Sequence, residues 1–503
     1  MPHSARLRRD ALRIWHAGVE AVRPERLVPQ WLRVVEGRAL LCGTAALGCA
    51  GQYPQPGAAV PLDSIRRIVV VGGGKAAAGM AEAVEAVLGP ELMAEKQLAG
   101  WVNVPAECPH PRPLSQRERG VLKRPLNVRR IHLHTARPAG VNEPTTEGVA
   151  GSDEILRLVE SLGPDDLCLC LISGGGSALM PAPAEGISLA DKLAVTRHLS
   201  AAGANIEQLN TVRKQLSRIK GGGLLRACRA GRLVSLVISD VLGDRLDLIA
   251  SGPTVPDRST PGEALEVLER FGAREAGISP AVFDFLKHAE FSRRVHAAQF
   301  PGVDAGAKRE FDTINLVIGN NATAVAAAAE EAQRLGYSVD AASATQSEGP
   351  AEEIGRQLAE SALKMRDAAG QTCRRLLNDQ DAINKKCLIS GGEPVVKLVE
   401  PSRRGLGGRN QQLTLAALLR LADDGAANIA LLSGGTDGED GPTDAAGAFL
   451  DADVIAASRR AKLDPAEYLS RNDAYNFFAP LDALIRTGPT GTNVCDLRVV
   501  LSR

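Results

Sequence analysis

Six times along the chain a short apolar run breaks into a loop of small polar residues. Ile68 to Val71 runs into Gly72-Gly73-Gly74-Lys75, Leu167 to Ile172 into Ser173-Gly174-Gly175-Gly176, and Leu233 to Ile238 into Ser239-Asp240. Leu316 to Ile318 precedes Gly319-Asn320-Asn321, Leu388-Ile389 precedes Ser390-Gly391-Gly392-Glu393, and Ile429 to Leu432 precedes Ser433-Gly434-Gly435-Thr436-Asp437. A continuous apolar run suits a strand buried on both faces. After the first loop, Met80, Val84, Val87 and Leu88 recur at helical spacing. Strands alternating with helices require parallel sheets joined by right-handed crossovers. The expected class is α/β, with mainly parallel sheets flanked by helices.

At 503 residues the chain exceeds what one core supports, so two sizeable domains or three smaller ones are expected. Between about Ala289 and Asp312 strand signals lapse and Gly, Pro and charge appear, which divides the chain into 1–300, Rossmann-like, and 310–503, leucine-rich. Pro105 to Arg130, with five prolines and seven Arg or Lys, reads as a surface insertion. Near the N-terminus, Leu7, Leu12, Trp15 and Val19 mark one side of an amphipathic helix. Asp10 and Glu20 argue against a transit peptide there.

Charge narrows the function. Lys and Arg total 59, as do Asp and Glu, so no excess of cations exists to coat a nucleic acid. No apolar run nears the roughly 20 residues of a membrane helix. The nine cysteines follow neither a disulfide framework nor a zinc spacing. A reduced, cytoplasmic enzyme without nucleic-acid or membrane partners is the expectation, and a homodimer stays open.

Loops at the carboxyl ends of parallel strands gather on one sheet edge. Glycine presents backbone N–H groups without a Cβ in the way, and a following helix turns its positive end to the same place. One Ser-Gly-Gly is only a tight turn, but three share that wording at Ser173, Ser390 and Ser433. Together they suit a polyphosphate. Gly72, Gly74 and Ala77 meet the dinucleotide pattern only formally, and Ala76 stands where a Walker loop needs Ser or Thr. Lys75 is left as a cation at a helix start, unfavourable there unless an anion arrives.

Ile206 to Gly223 is expected to be one helix, with Asn210, Arg213, Ser217 and Lys220 as a polar stripe beside its apolar one. Its cations either overlook a cleft or snorkel from a boundary position. Two acidic clusters, Ser239 to Asp244 and Thr436 to Asp444, each offer one carboxylate for magnesium or a hydroxyl proton. Arg409 opens a leucine-rich helix from Gly405-Leu406-Gly407-Gly408, where a guanidinium can fork onto phosphate.

VGGGKA (Val71 to Ala76), LISGGGSAL (Leu171 to Leu179), NTVRKQLSRIKGG (Asn210 to Gly222) and SDVLGDRLDLIASGPTVPD (Ser239 to Asp257) stand in that order. SGGE (Ser390 to Glu393), GGRNQQL (Gly407 to Leu413), TDGEDGPTDAAGA (Thr436 to Ala448) and TGPTGTNVCDL (Thr487 to Leu497) follow. This series resembles the glycerate 2-kinase family, once labelled hydroxypyruvate reductase, over most of the chain. The resemblance implies two α/β domains with the active site in the cleft between them. It implies phosphorylation of D-glycerate at the 2-hydroxyl by ATP with Mg²⁺, giving 2-phosphoglycerate and ADP. For such a transfer Lys75, Arg409, Asp240 and Asp437 are the expected catalytic residues, the two aspartates holding magnesium or orienting the glycerate hydroxyl. Arg213, Lys220 and Asn210 are expected at the substrate. Gly73, Gly74, Ser173, Gly174, Gly175, Gly176, Ser177, Gly391, Gly392, Glu393 and Asn410 are expected at the nucleotide. Two departures stand out: the family's histidine-proline segment is here His134-Thr135-Ala136-Arg137-Pro138, and the proline-rich insertion stands just upstream of it. The rival readings are an NAD(P)H-dependent hydroxypyruvate reductase and a phosphometabolite-binding protein without catalysis.

Overall fold

The computed structural model describes residues 3–43, 58–106, 128–138, 143–299, 312–375 and 385–503. It holds two six-stranded sheets and one small antiparallel sheet of three strands. The first large sheet is parallel throughout. From one edge to the other its strands are Ile131–Arg137, Ala99–Pro105, Arg67–Gly73, Asp166–Ile172, Arg232–Ile238 and Asp312–Gly319. Chain order reverses between Arg67–Gly73 and Asp166–Ile172. That reversal opens a crevice at the carboxyl ends of these two strands, where doubly wound sheets bind ligands.

Burial on both faces follows from the two-residue period of a strand. Ile68, Val70, Leu167, Leu169 and Leu171 enter one core. Val69, Val71, Cys168, Cys170 and Ile172 enter the other. A further apolar cluster joins the helices Leu189–Ala201, Ile206–Gln215, Pro261–Arg270 and Pro280–Gln299 beside this sheet.

The second sheet runs Ser338–Ser343, Lys386–Gly392, Asp496–Ser502, Ile429–Gly435, Gly447–Asp451, Leu484–Ile485. Four of its six strands point the same way, but Asp496–Ser502 and Gly447–Asp451 run opposite to them. The expectation of a mainly parallel sheet holds for the first sheet but not for this one, where Ser338–Ser343 with Lys386–Gly392 is the one parallel ladder of five. The helix Arg409–Leu421 is buried nearly all round, as its leucines require.

The helix His3–Ala21 packs on this second sheet, burying Leu7, Ile14, Trp15 and Val19 in its core. Trp15 Nε1 donates to the Gly434 carbonyl at 3.3 Å. Strand Asp312–Gly319, beyond the expected division near 300–310, belongs to the first sheet. Helix Pro280–Gln299 occupies part of the stretch expected to be irregular. Most of the expected insertion, residues 107–127, lies outside the described residues.

Ile206 to Gly223 is not one helix. The helix stops at Gln215, because Ser217 bridges to Pro183 and the Leu216 carbonyl accepts from Ala184 N and Lys192 Nζ. Leu216 and Ile219 are nevertheless buried, so the apolar spacing runs on through a turn. Among the described residues no helix is long and apolar enough to cross a membrane.

Candidate active site

The two strands at the reversal end in loops that lock together. Lys75 N donates to the Gly174 carbonyl at 2.8 Å, and Ala76 N donates to Ser173 Oγ at 2.9 Å. Gly74 makes this approach possible: its φ is +154°, and a Cβ there would overlap Ser173 Oγ. Ser173 is thus a brace between the loops. Gly73 and Gly176 pack beneath, and Gly175 (φ +77°) opens the turn Gly176–Leu179.

Lys75 reaches from this lock to the other sheet. Its Nζ lies 2.8 Å from Asp437 Oδ2 and 2.9 Å from Glu439 Oε2. Burial pulls the Lys75 pKa down, but the two carboxylates outweigh it and hold the ammonium above its ordinary value. The acidic cluster then divides by role. Asp440 caps the Arg409–Leu421 helix, accepting from the N–H groups of Asn410 and Gln411 at 3.0 and 2.8 Å. Burial pushes its carboxyl up to about 7. Asp444 instead meets Tyr475 and Arg486.

Asp240 follows the neighbouring strand Arg232–Ile238 and touches the same loop, since a Cβ on Gly174 would overlap its carboxylate. It accepts from Asn493 Nδ2 at 3.2 Å, a second contact between the two halves. Burial raises its pKa to about 6, helped by the charges of Glu393 and Asp437, with Lys75 acting the other way. Asp244, in the same cluster, is held by Asn320 instead.

Across from these, Arg409 forks onto Asp496 with Nε and Nη2 at 2.7 and 3.0 Å, and its Nη1 meets Glu393 at 2.8 Å. Burial opposes its charge, but Asp496 and Glu393 outweigh that and raise the pKa. Cys495, in the positive-φ region at +69°, sets its Sγ 2.9 Å from the Asp240 carbonyl.

On the far side of the glycine loop, the broken 206–223 segment still converges. Arg213 Nη2 and Lys220 Nζ each lie 2.6 Å from Ser177 Oγ, and Lys220 also donates to the Ser177 carbonyl at 2.7 Å. Ser177 Oγ lies 3.1 Å from Ser251 Oγ, which bonds Asn210 Oδ1 at 3.2 Å. Burial, then Arg213 and Lys192, lowers the Lys220 pKa well below that of a free lysine.

Lys75, Asp437, Asp240, Glu393 and Arg409 therefore form one cluster beside the glycine loop, with Arg213, Lys220 and Asn210 behind Ser177. Asn410 is not brought in: 1% exposed, it accepts from Ser433 Oγ at 2.6 Å and serves the helix start. Gly391 packs against Asn321, and Gly392 against Glu348 and Arg498, so both fit close packing in the fold. Sequence reasoning missed Glu439, Asn493 and Asp496. Glu439 stood in the acidic cluster already marked. Asn493 and Asp496 both lie in the TGPTGTNVCDL motif, and Asp496 is also an acid at the start of a strand otherwise fully buried.

Carboxylates from three loops and two cations around a glycine-rich turn can hold a hydrated divalent ion against phosphate oxygens, accept a hydroxyl proton and offset charge in a transferring group. Among the described residues no group of three or more acids, His or Cys forms a metal cage by itself.

The chain matches two family models: a domain of unknown function (DUF4147) over residues 10–287 and the MOFRL family over residues 386–496. It is 36% identical to a glycerate kinase of Danio rerio over 468 residues, covering 86% of this chain and 88% of that one. It is 34% identical to a D-glycerate 2-kinase of Thermotoga maritima, covering 88% and 92%. The crystal structure of a glycerate kinase from Thermotoga maritima superposes with a TM-score of 0.72 at 32% identity, covering 99% of this chain and 100% of that one.

Proposed function

Because the chain belongs to the glycerate kinase family, we propose that it phosphorylates D-glycerate at the 2-hydroxyl with ATP, giving 2-phosphoglycerate and ADP. The observation that carries this reading is Lys75. A cation at the strand-order reversal, held by two carboxylates of the opposite sheet, sits where a phosphate chain would enter a doubly wound crevice.

In the proposed reaction the backbone of Ser173 to Ser177 receives phosphate oxygens. Lys75 and Arg409 offset the charge that builds on the transferring group. Arg213 and Lys220 hold the acceptor's carboxylate from behind Ser177, with Asn210 positioning Ser251. Asp240, raised to about 6, orients the acceptor hydroxyl and takes its proton at near-neutral pH.

Magnesium fits these residues. Asp240, Asp437, Glu439, Glu393 and Asp496 gather around only two cations, Lys75 and Arg409, and Mg²⁺ commonly takes one or two carboxylates plus substrate phosphates. Asp437 is the residue that would hold it, which leaves Asp240 for the hydroxyl proton. When bound, the ion screens the phosphate oxygens and orders them for displacement. Among the described residues six cysteines are free and buried, which suits a reducing cytoplasm.

A coupled assay tests the reading. ADP formation that depends on D-glycerate supports it. Oxidation of nicotinamide with hydroxypyruvate, or nucleotide binding without turnover, overturns it.

A further inference from the structure

Arg137 ends the edge strand Ile131–Arg137 of the first sheet. Its backbone is pinned: the Arg137 carbonyl accepts from Ala106 N at 2.8 Å, and the Ala136 carbonyl accepts from Thr145 Oγ1 at 2.5 Å. The residue is only 4% exposed. Its Nε is buried with no hydrogen-bond partner, and among the described residues its guanidinium makes no hydrogen bond or ion pair.

An arginine is almost never fully buried unless paired, and it cannot escape by shedding its proton. Burial without a partner is therefore costly here, and an anion would relieve it. The direction of the side chain indicates where that anion sits. A Cβ built on Gly175 would lie 3.3 Å from Arg137 Nη2 and 3.6 Å from Lys75 Cγ, so the guanidinium lies over the middle of the glycine loop beside Lys75. Glu439, whose charge reaches Arg137, is already held by Lys75 at 2.9 Å.

We propose that Arg137 is an anion-binding residue of the active site, forking onto a pair of anionic oxygens, phosphate or carboxylate, seated over Gly175. The fork geometry of a guanidinium suits both groups. This rests on the phosphoryl-transfer reading, which supplies two sources: the nucleotide's phosphates and the acceptor's carboxylate.

The experiment compares the parent with Arg137→Met, which keeps the apolar stem, and Arg137→Lys, which keeps charge without the fork. Steady-state constants for ATP and D-glycerate are measured, with calorimetric binding of inorganic phosphate and of D-glycerate, each alone. A loss of about tenfold or more for phosphate and ATP with D-glycerate unchanged assigns the phosphate source; the reverse pattern assigns the carboxylate. Arg137→Lys is expected to recover only part of the loss.

Unchanged constants, within twofold, in an Arg137→Met protein with the parent's melting temperature overturn the proposal. Should Arg137→Met fail to fold, parent-like binding by Arg137→Lys overturns it instead. A parent that binds phosphate but shows no turnover with ATP and D-glycerate would sink the reaction reading alone, and phosphate binding by the variants would still judge Arg137.

Discussion

Replacing Lys75 by methionine separates its two tasks, joining the sheets and stabilising transferred charge. Its ammonium meets Asp437 at 2.8 Å and Glu439 at 2.9 Å, with 23% of the side chain exposed. At an effective dielectric of about 20 each contact is worth about 6 kcal/mol in Coulomb terms, most of it offset by desolvation. Glu439, more than a third exposed, is well screened. The net cost of Lys75→Met should be about 2 kcal/mol, which lowers the melting temperature by about 4–8 °C for a cooperative unit the size of one lobe. Loss of one preorganised cation from a transition state costs about 10³ in turnover, roughly 4 kcal/mol. The assay is kcat at 25 °C with saturating ATP and D-glycerate, beside a calorimetric melt. A variant that melts several degrees low yet turns over within tenfold of the parent would reduce Lys75 to a strut between sheets and refute the reasoning.

Three further outcomes follow from the geometry. Asp240, raised from 3.8 to about 6, keeps in the folded state a proton that the unfolded chain has released, so its contribution to stability falls as pH rises from about 4 to 6. Activity needs the ionised form, so kcat/KM should climb through pH 6; Asp240→Asn should lose about 10² or more in rate and flatten that limb, and an unchanged limb would assign it to another group. Gly74→Ala would press a Cβ onto Ser173 Oγ at a φ of +154°, costing about 1–3 kcal/mol in a denaturant melt and misplacing Lys75; parent-like stability and turnover would show that the lock is dispensable. Trp15→Ala, which empties a buried site in the second core, should cost about 3–5 kcal/mol in a denaturant melt, and a neutral melt would mean the first helix is not part of that core.

Six of the fifteen described strands were legible, because strands buried on both faces write themselves as continuous apolar runs. The order in which they pair was not, since pairing is non-local: nothing near Asp496–Ser502 says that it inserts between Lys386–Gly392 and Ile429–Gly435 and runs against both. The first helix showed its apolar stripe but not its partner, more than three hundred positions away in the second core. Periodicity misled at Ile206 to Gly223, because Leu216 and Ile219 stay buried after the helix has ended. In the site, Lys75, Asp240 and Arg409 were readable as charges in glycine-rich loops after buried strands or at a helix start. Asn410 looked the same and proved to serve the fold, since side-chain polarity alone does not distinguish a ligand from a cap. Arg137 was visible only as a departure from a motif; its burial without a partner is a property of the folded chain.

The most direct test is to follow ATP, D-glycerate and Mg²⁺ with the purified chain by ³¹P NMR. Equimolar ADP and 2-phosphoglycerate, with neither formed by a Lys75→Met protein at the same concentration, is the predicted result. A 3-phosphate product, or ADP accumulating at the same rate without glycerate, would contradict it.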